Sequence, residues 1–388
     1  MRILMLNHNV AERGGTYFRA FDVARYLTKR GHEVCLLTIS PSRRWGFDHI
    51  VKDGVEIVHT PDLFWGRGRT GWDPWDTLHR IIFLHKKKWD IIHAWDSRPA
   101  VILPALYARR QSRNSKLIID WCDWWGRGGT IQERSGWAMR TFFGPLETFF
   151  EESFRVHADG GTVISHALYD RAQQLGVPAD TLHILQQGCD IEETLPSDRM
   201  EARQQLGIPG TVSLIGYLGA LGRSDAALLY DTLRILIAHD QQFQFVLMGN
   251  HRSRIPDDLR ETQRITETGY VSASALQQYL AACDVLFCPL GDTIASRARW
   301  PSKVNTYLAA GRATVMTRVG DLAALLESED AGIVTSCNPE EIVTQLIKLL
   351  GNVEMRAKYE VKARSMAEKL AWPGLIRQLE SFYDNMSD

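Results

Sequence analysis

Arg299-Trp-Pro-Ser-Lys303 brings two cations into a turn, a third stands at Arg312, and residues 304–310 between them read as a short helix closed by Gly311. Cationic side chains at the opening of a helix, added to its free N–H groups and dipole, make a place to hold a phosphate. Pro301, with its fixed φ, suits the turn or the first helical turn. The other reading is a solvated basic turn before an ordinary helix, and spacing alone does not choose between them.

A second cluster is Asp120-Trp-Cys-Asp-Trp-Trp-Gly-Arg-Gly-Gly129. Rings such as Trp124 and Trp125 pack against the C–H faces of a sugar, and a carboxylate such as Asp123 accepts hydrogen bonds from its hydroxyls. A core-edge cluster of tryptophans is the alternative. Asp120 and Asp123 are separated by Trp121 and Cys122, so they do not form a D-x-D metal motif, and no metal is expected. Gly14 and Gly15, ahead of an expected helix, would let backbone N–H groups approach an anion. His93 and Asp96, with Arg98 beside them, close another apolar run, where a lone histidine is equally a structural residue.

These residues need a framework, and the pattern supplies an α/β one. Short apolar runs at residues 2–6, 33–38, 55–59, 91–94, 117–120, 161–164 and 182–185 read as buried parallel strands. Residues 7–15 read as a loop, and Phe18, Phe21, Ala24 and Leu27 fall at helical spacing before Gly31. The same grammar restarts near residue 211: a strand at 212–218, a helix at 225–238, a strand at 243–248 ending in Gly249-Asn250, a helix at 273–282, and strands at 285–289 and 314–317. The boundary is placed in the polar stretch 186–198. Two doubly wound domains facing each other would form a cleft at the C-terminal ends of their strands, where such sheets bind ligands.

The 388 residues suffice for two full cores, and a net charge of −1 without a long basic block argues against broad nucleic-acid binding. Cys35, Cys122, Cys189, Cys283, Cys288 and Cys337 show no C-x-x-C pair or ligand spacing, as expected of a reduced, cytoplasmic protein without structural zinc. No signal-peptide pattern and no apolar run near about 18 residues is present, so secretion and membrane spanning are not expected.

Three blocks carry a resemblance: Glu12-Arg-Gly-Gly-Thr-Tyr-Phe with Lys29-Arg-Gly-His-Glu-Val34; Asp159-Gly-Gly-Thr-Val-Ile-Ser-His166 with Gln187-Gly-Cys-Asp190; and Ala282-Cys-Asp-Val-Leu-Phe-Cys-Pro289 with Pro301-Ser-Lys303 and Tyr307-Leu-Ala-Ala-Gly-Arg312. In order and spacing the chain resembles a GT-B glycosyltransferase of the retaining, family-four type over nearly its whole length. The resemblance implies an acceptor-side Rossmann-like domain (1–188), a nucleotide-sugar domain (189–370) and a C-terminal helix returning to the first domain (371–388). It also implies a nucleotide-sugar donor, a saccharide or lipid-linked acceptor, and transfer with the anomeric configuration kept and no cofactor or metal. Site residues follow from it. Asp123, Lys303 and Arg223 are placed at the reacting centre. Gly14, Gly15, Arg299, Ser302, Thr306 and Gly249 are placed with the nucleotide, and His93, Asp96, Trp124 and Trp125 with the acceptor. The aromatic and basic stretch 134–154, with Trp137, Arg140, Phe142, Phe143, Phe149 and Phe150, resembles helices that line an acceptor channel or touch a bilayer; plain packing is the alternative.

The chain departs from the family at Cys122, where many relatives have a histidine, and at Ala298 and Thr306, where the family often has two glutamates eight residues apart. A threonine hydroxyl cannot accept two ribose hydroxyls as a carboxylate does, and Asp292 or Ser296 is the expected substitute. Two functions follow: an active glycosyltransferase, or a catalytically weakened GT-B protein that serves as a nucleotide-binding or partner subunit. Residues 65–72, rich in glycine and arginine, are expected to select the acceptor.

Overall fold

A computed structural model describes the chain except for residues 64–69, 113, 133–135, 138, 240–241, 250–254 and 388. The expected acceptor-selecting loop, Arg134 and Asn250 therefore lie largely or wholly outside the described residues. By its internal packing the chain divides into two compact units, Met1–Gln187 with Trp372–Asp388, and Gly188–Ala371.

The first unit holds an eight-stranded sheet built from β1 (Arg2–Val10), β2 (Glu33–Ile39), β3 (Asp48–Lys52), β4 (Val55–Thr60), β5 (Ile91–Trp95), β6 (Lys116–Trp121), β7 (Gly160–Val163) and β8 (Leu182–Ile184). The order is β3-β4-β2-β1-β5-β6-β7-β8. Every pairing is parallel except β3 with β4. The winding reverses between β1 and β5, and at such a point the loops at the strand C-termini diverge and leave room for a ligand. β1 continues four residues beyond its expected end. Its polar tip is absorbed by local bonds: Asn7 Oδ1 accepts the Asn9 amide at 2.7 Å, and Thr38 donates to the Asn9 carbonyl at 2.7 Å. The helix Gly15–Lys29 and the C-terminal helix Trp372–Ser387 share one apolar cluster with the sheet, in which Trp372, Ile376, Leu379 and Tyr383 are fully buried.

The second unit holds β9 (Ser213–Leu218), β10 (Phe243–Met248), β11 (Ile265–Gly269), β12 (Val285–Cys288), β13 (Thr314–Thr317) and β14 (Ile333–Thr335), all parallel in the order β11-β10-β9-β12-β13-β14. Its core joins Phe245, Phe287 and Val315 of the strands to Leu229 and Leu233 of the helix Arg223–Ala238 and Leu346 of the helix Pro339–Gly351. β3, β11 and β14 are absent from the sequence expectations: β3 is an exposed edge, β11 an edge strand of mostly polar residues, and β14 only three residues long.

Candidate functional site

The cationic turn forms at the C-terminal edge of the second sheet. The helix Ser302–Ala309 starts directly after Pro301, two residues earlier than expected, with Ser302 exposed in its first turn. Tyr307, fully buried, accepts the Leu218 amide at 2.8 Å and so pins this helix to the end of β9. Lys303 is half-buried beneath the turn that follows β9. Its ammonium lies 4.0 Å above the Tyr217 ring, donates to the Tyr217 hydroxyl, and reaches the Ala220 carbonyl at 3.3 Å. Among the described residues Lys303 has no carboxylate partner. Burial is the main cause that pushes its pKa down to about 8.

Arg299 is differently placed. It donates to Asp225 Oδ2 at 2.6 Å and to Ser296 Oγ at 3.4 Å, while Asp225 Oδ1, nearly fully buried, accepts the Gly291 amide at 3.0 Å. Gly291 is required there, because a Cβ would come within 2.5 Å of Ser224 Cβ. The Arg299 charge is thus paired with a carboxylate that sequence reading passed over, while Lys303 feels that carboxylate only at a distance and makes no ion pair among the described residues. Arg223 begins the helix Arg223–Ala238 and is exposed. Thr306 is half-buried one turn after Ser302, and Gly249 follows β10 at φ +136°.

The expected substitutes for a ribose-binding carboxylate are already engaged by neighbours. Both oxygens of Asp292 accept from Arg297, at 2.6 and 2.8 Å, and Ser296 is 3% exposed and bonded to Thr293 at 3.1 Å. The two groups are held by near neighbours in the same loop, Asp292 on the exposed surface and Ser296 buried.

In the first unit, Gly14 and Gly15 open the helix after β1. Gly14 has φ +83° and a Cβ there would meet Asn9 Nδ2 at 2.7 Å, whereas the space about Gly15 is open. Thr16, in the first turn, lies 3.6 Å from Cys122 Sγ, and Cys122 donates to Asp123 Oδ2 at 3.8 Å. The structure therefore brings the glycine turn and the segment after β6 together. Asp123 is exposed and Trp124 half-exposed, its indole N–H donating to the Arg127 carbonyl at 2.7 Å. Burial raises the Cys122 thiol well above its ordinary value, so a neutral thiol stands beside Asp123.

Two acceptor assignments are corrected. His93 lies in the middle of β5, because that strand runs on to Trp95, and its ring is fully buried. Its nitrogens meet Tyr383 Oη at 2.7 Å and Thr162 Oγ1 at 3.0 Å, and burial pushes its pKa down to about 3. It is a neutral core residue. Trp125 is 3% exposed, turned inward with Arg98 stacked 5.4 Å from its ring, so it is no wall for a ligand. Asp96 follows β5 directly at φ +105°, a conformation costly for a non-glycine residue, with its carboxylate 3.2 Å from Arg98 Nε and 3.5 Å from His8 Nδ1.

Trp137 and Phe142 are each 70% exposed and Phe149 52%. Trp72, Leu78, Leu103, Leu146 and Phe150 line an apolar pocket of about 350 Å³, and of the three exposed rings Phe149 meets this lining, edge to face with Phe150 at 5.5 Å. No helix among the described residues is long and apolar enough to cross a membrane. No group of three metal-ligating side chains stands together among them either.

Comparison with known proteins matches the two halves in turn. Residues 14–188 match the glycosyl transferase 4-like domain, and residues 212–352 match the glycosyl transferases group 1 family. The chain is thus made of two successive glycosyltransferase domains, and its fold is that of the GT-B glycosyltransferases. It is similar to D-inositol 3-phosphate glycosyltransferase of Corynebacterium jeikeium, at 24% identity over 53% of this chain and 52% of that protein, so it spans about half the length of that curated relative. Its fold is similar to sucrose-phosphate synthase from Thermosynechococcus elongatus, with a TM-score of 0.75, 16% identity and 99% and 98% of the two chains covered. It is likewise similar to Anabaena HepE solved in complex with UDP, with a TM-score of 0.73, 16% identity and 99% and 100% coverage.

Proposed function

We propose that this GT-B protein is a retaining glycosyltransferase that moves a sugar from a nucleoside-diphosphate sugar to a saccharide or lipid-linked acceptor without a metal. The observation that carries this reading is Lys303, a half-buried cation with no carboxylate partner among the described residues, at the mouth of a helix whose neighbouring Arg299 is already neutralised. When the bond from sugar to diphosphate breaks, negative charge grows on the departing phosphate oxygens. A fixed cation and oriented N–H groups stabilise that charge more than they stabilise the bound donor. The N-terminal N–H groups of the helix Ser302–Ala309 and the exposed Arg223 supply the rest of the field. On the acceptor side, Asp123 accepts from sugar hydroxyls and the Trp124 ring offers a face to the sugar. The exposed aromatics Trp137, Phe142 and Phe149 favour a lipid-linked acceptor and peripheral contact with a membrane.

A thermal-shift panel of UDP, GDP, ADP and TDP with their sugar conjugates tests the donor half. One base is expected to raise the melting temperature in the wild type and to lose most of that effect in Lys303→Ala. A panel with no stabilising nucleotide, or an equal shift in the variant, overturns the assignment of Lys303 and turns the reading toward a partner subunit.

A further inference from the structure

The loop at residues 122–129 owes its shape to a carboxylate that lies outside it. Glu151, on the helix Gly144–Ser153, is fully buried. Its Oε1 accepts the Trp125 amide at 2.7 Å and the Trp121 indole N–H at 3.1 Å, and its Oε2 accepts the Gly126 amide at 2.6 Å. The approach is so close that a Cβ on Gly126 would fall 2.3 Å from Oε2. The rest of the loop folds on itself: the Gly129 amide donates to the Gly126 carbonyl and the Thr130 amide to the Trp124 carbonyl, both at 2.9 Å. A Cβ on Gly129 would meet that same Trp124 carbonyl oxygen at 2.1 Å.

Two oxygens that each receive an N–H require an ionised acid. A carboxamide in the same place would turn its NH₂ toward one of the donors, and an apolar side chain would leave both amides without partners. Burying a charge this completely is costly, and Arg155 offsets it. That guanidinium donates to the Glu151 carbonyl at 2.9 Å and to the Asp120 carbonyl at 3.3 Å, and it lies 4.0 Å over the Trp121 ring. Loop, acid and guanidinium are thus one assembly at the end of β6.

We propose that Glu151 is the positioning residue of the acceptor loop: it fixes the backbone at Trp125 and Gly126 so that Asp123 and Trp124 are presented to the acceptor in one geometry. This rests on the assignment of the loop to the acceptor. Glu151 touches no substrate and acts through the amides it holds. Burial raises its pKa to about 7, against the bonds from Trp125 and Gly126 and the charge of Arg155; Asp96, at the end of β5, raises it further. Arg155 in turn faces Asp120 and Cys122. Protonation makes one oxygen a donor, so the loop loosens as pH falls through about 7.

Amide hydrogen exchange on the full-length chain tests this without any substrate. In Glu151→Gln, whichever of the Trp125 and Gly126 amides faces the new NH₂ is expected to exchange about tenfold faster, the loss of roughly one good hydrogen bond, while β1, β5 and the second unit keep wild-type protection. In the wild type, protection of the same two amides, corrected for intrinsic rates, is expected to fall between about pH 8 and pH 6. Should Glu151→Gln fail to fold, the wild-type pH series decides alone. Protection independent of both pH and the substitution overturns the proposal. Where a donor and acceptor have been found, the variant is expected to raise the acceptor KM and leave the donor KM unchanged, and a loosened loop with an unchanged acceptor KM also overturns it. If no transfer is found at all, the assignment of function fails while the exchange result still stands.

Discussion

At the scale of single residues, the site turns on which cation is compensated. Arg299 and Lys303 look alike in the sequence, but Arg299 faces a buried carboxylate and Lys303 faces a phenol and a carbonyl. On the proposed assignment the latter gains a counterion when a diphosphate arrives, and its lowered pKa makes that gain depend on pH. Since burial disfavours the ammonium, the free protein loses the Lys303 proton as pH rises through about 8, and nucleotide binding above that pH must take a proton up. Nucleotide affinity is therefore expected to hold below pH 8 and to fall by up to about tenfold by pH 9. In Lys303→Arg, whose guanidinium stays charged, the same titration should be flat. Isothermal titration in two buffers of different ionisation enthalpy reads the proton uptake directly. A wild-type affinity that does not change across this range would mean that another group binds the phosphates.

At the scale of elements, the apolar strands were legible because buried parallel strands are continuous hydrophobic runs: β2, β5, β6, β10 and β13 lie within two residues of their expected bounds. The misses have physical causes. β3 shows an exposed burial pattern with no apolar face, and the extension of β1 rests on bonds made by Asn7 and Thr38 that no periodicity reports. His93 was misplaced because the strand end was set before Trp95, which turned a core position into a rim position. The site was legible as residue types, since a lysine in a turn before a helix suggests phosphate. It was illegible as pairings: Asp225 lies 74 residues from Arg299, and Glu151 26 from Trp125. The helix Gly144–Ser153, with the helical turn Met139–Phe143 that leads into it, makes the same point on its outer side. Glu147 and Glu151 are fully buried, while Phe142, Phe143, Leu146 and Phe149 are exposed beside Arg140. An outward face with aromatics, a cation and those two acids turned inward suits an anionic lipid surface. Phe142→Ser with Phe149→Ser is expected to weaken co-sedimentation with phosphatidylglycerol vesicles at least about tenfold, since each ring contributes roughly 1.5–3 kcal/mol when buried. The melting temperature should stay near that of the wild type. Equal sedimentation of both proteins would remove the bilayer from the account and leave the pocket to a soluble acceptor.

At the scale of the whole molecule, each unit has a separate apolar core, and the last helix of the chain belongs to the first. Trp372, fully buried, closes that core, so the chain must be complete to its final turns before the first unit reaches full stability, although most of that unit precedes residue 188. Truncating such a residue removes its contacts and leaves a cavity, a loss of about 3–5 kcal/mol. The second unit contains no part of this cluster. Trp372→Ala is therefore expected to lower one calorimetric transition and leave the other in place. If a nucleotide binds through Lys303 as proposed, it should do the reverse, adding about 2.7 kcal/mol to the second unit's transition at a ligand concentration near 100 times Kd. The two perturbations thus label the transitions independently. If both transitions moved together under either one, the cores would be energetically coupled and the chain would unfold as a single cooperative body. Acceptor-side substitutions such as Gly126→Ala would then alter nucleotide affinity through stability alone, and every binding measurement on them would need correction for the folded fraction.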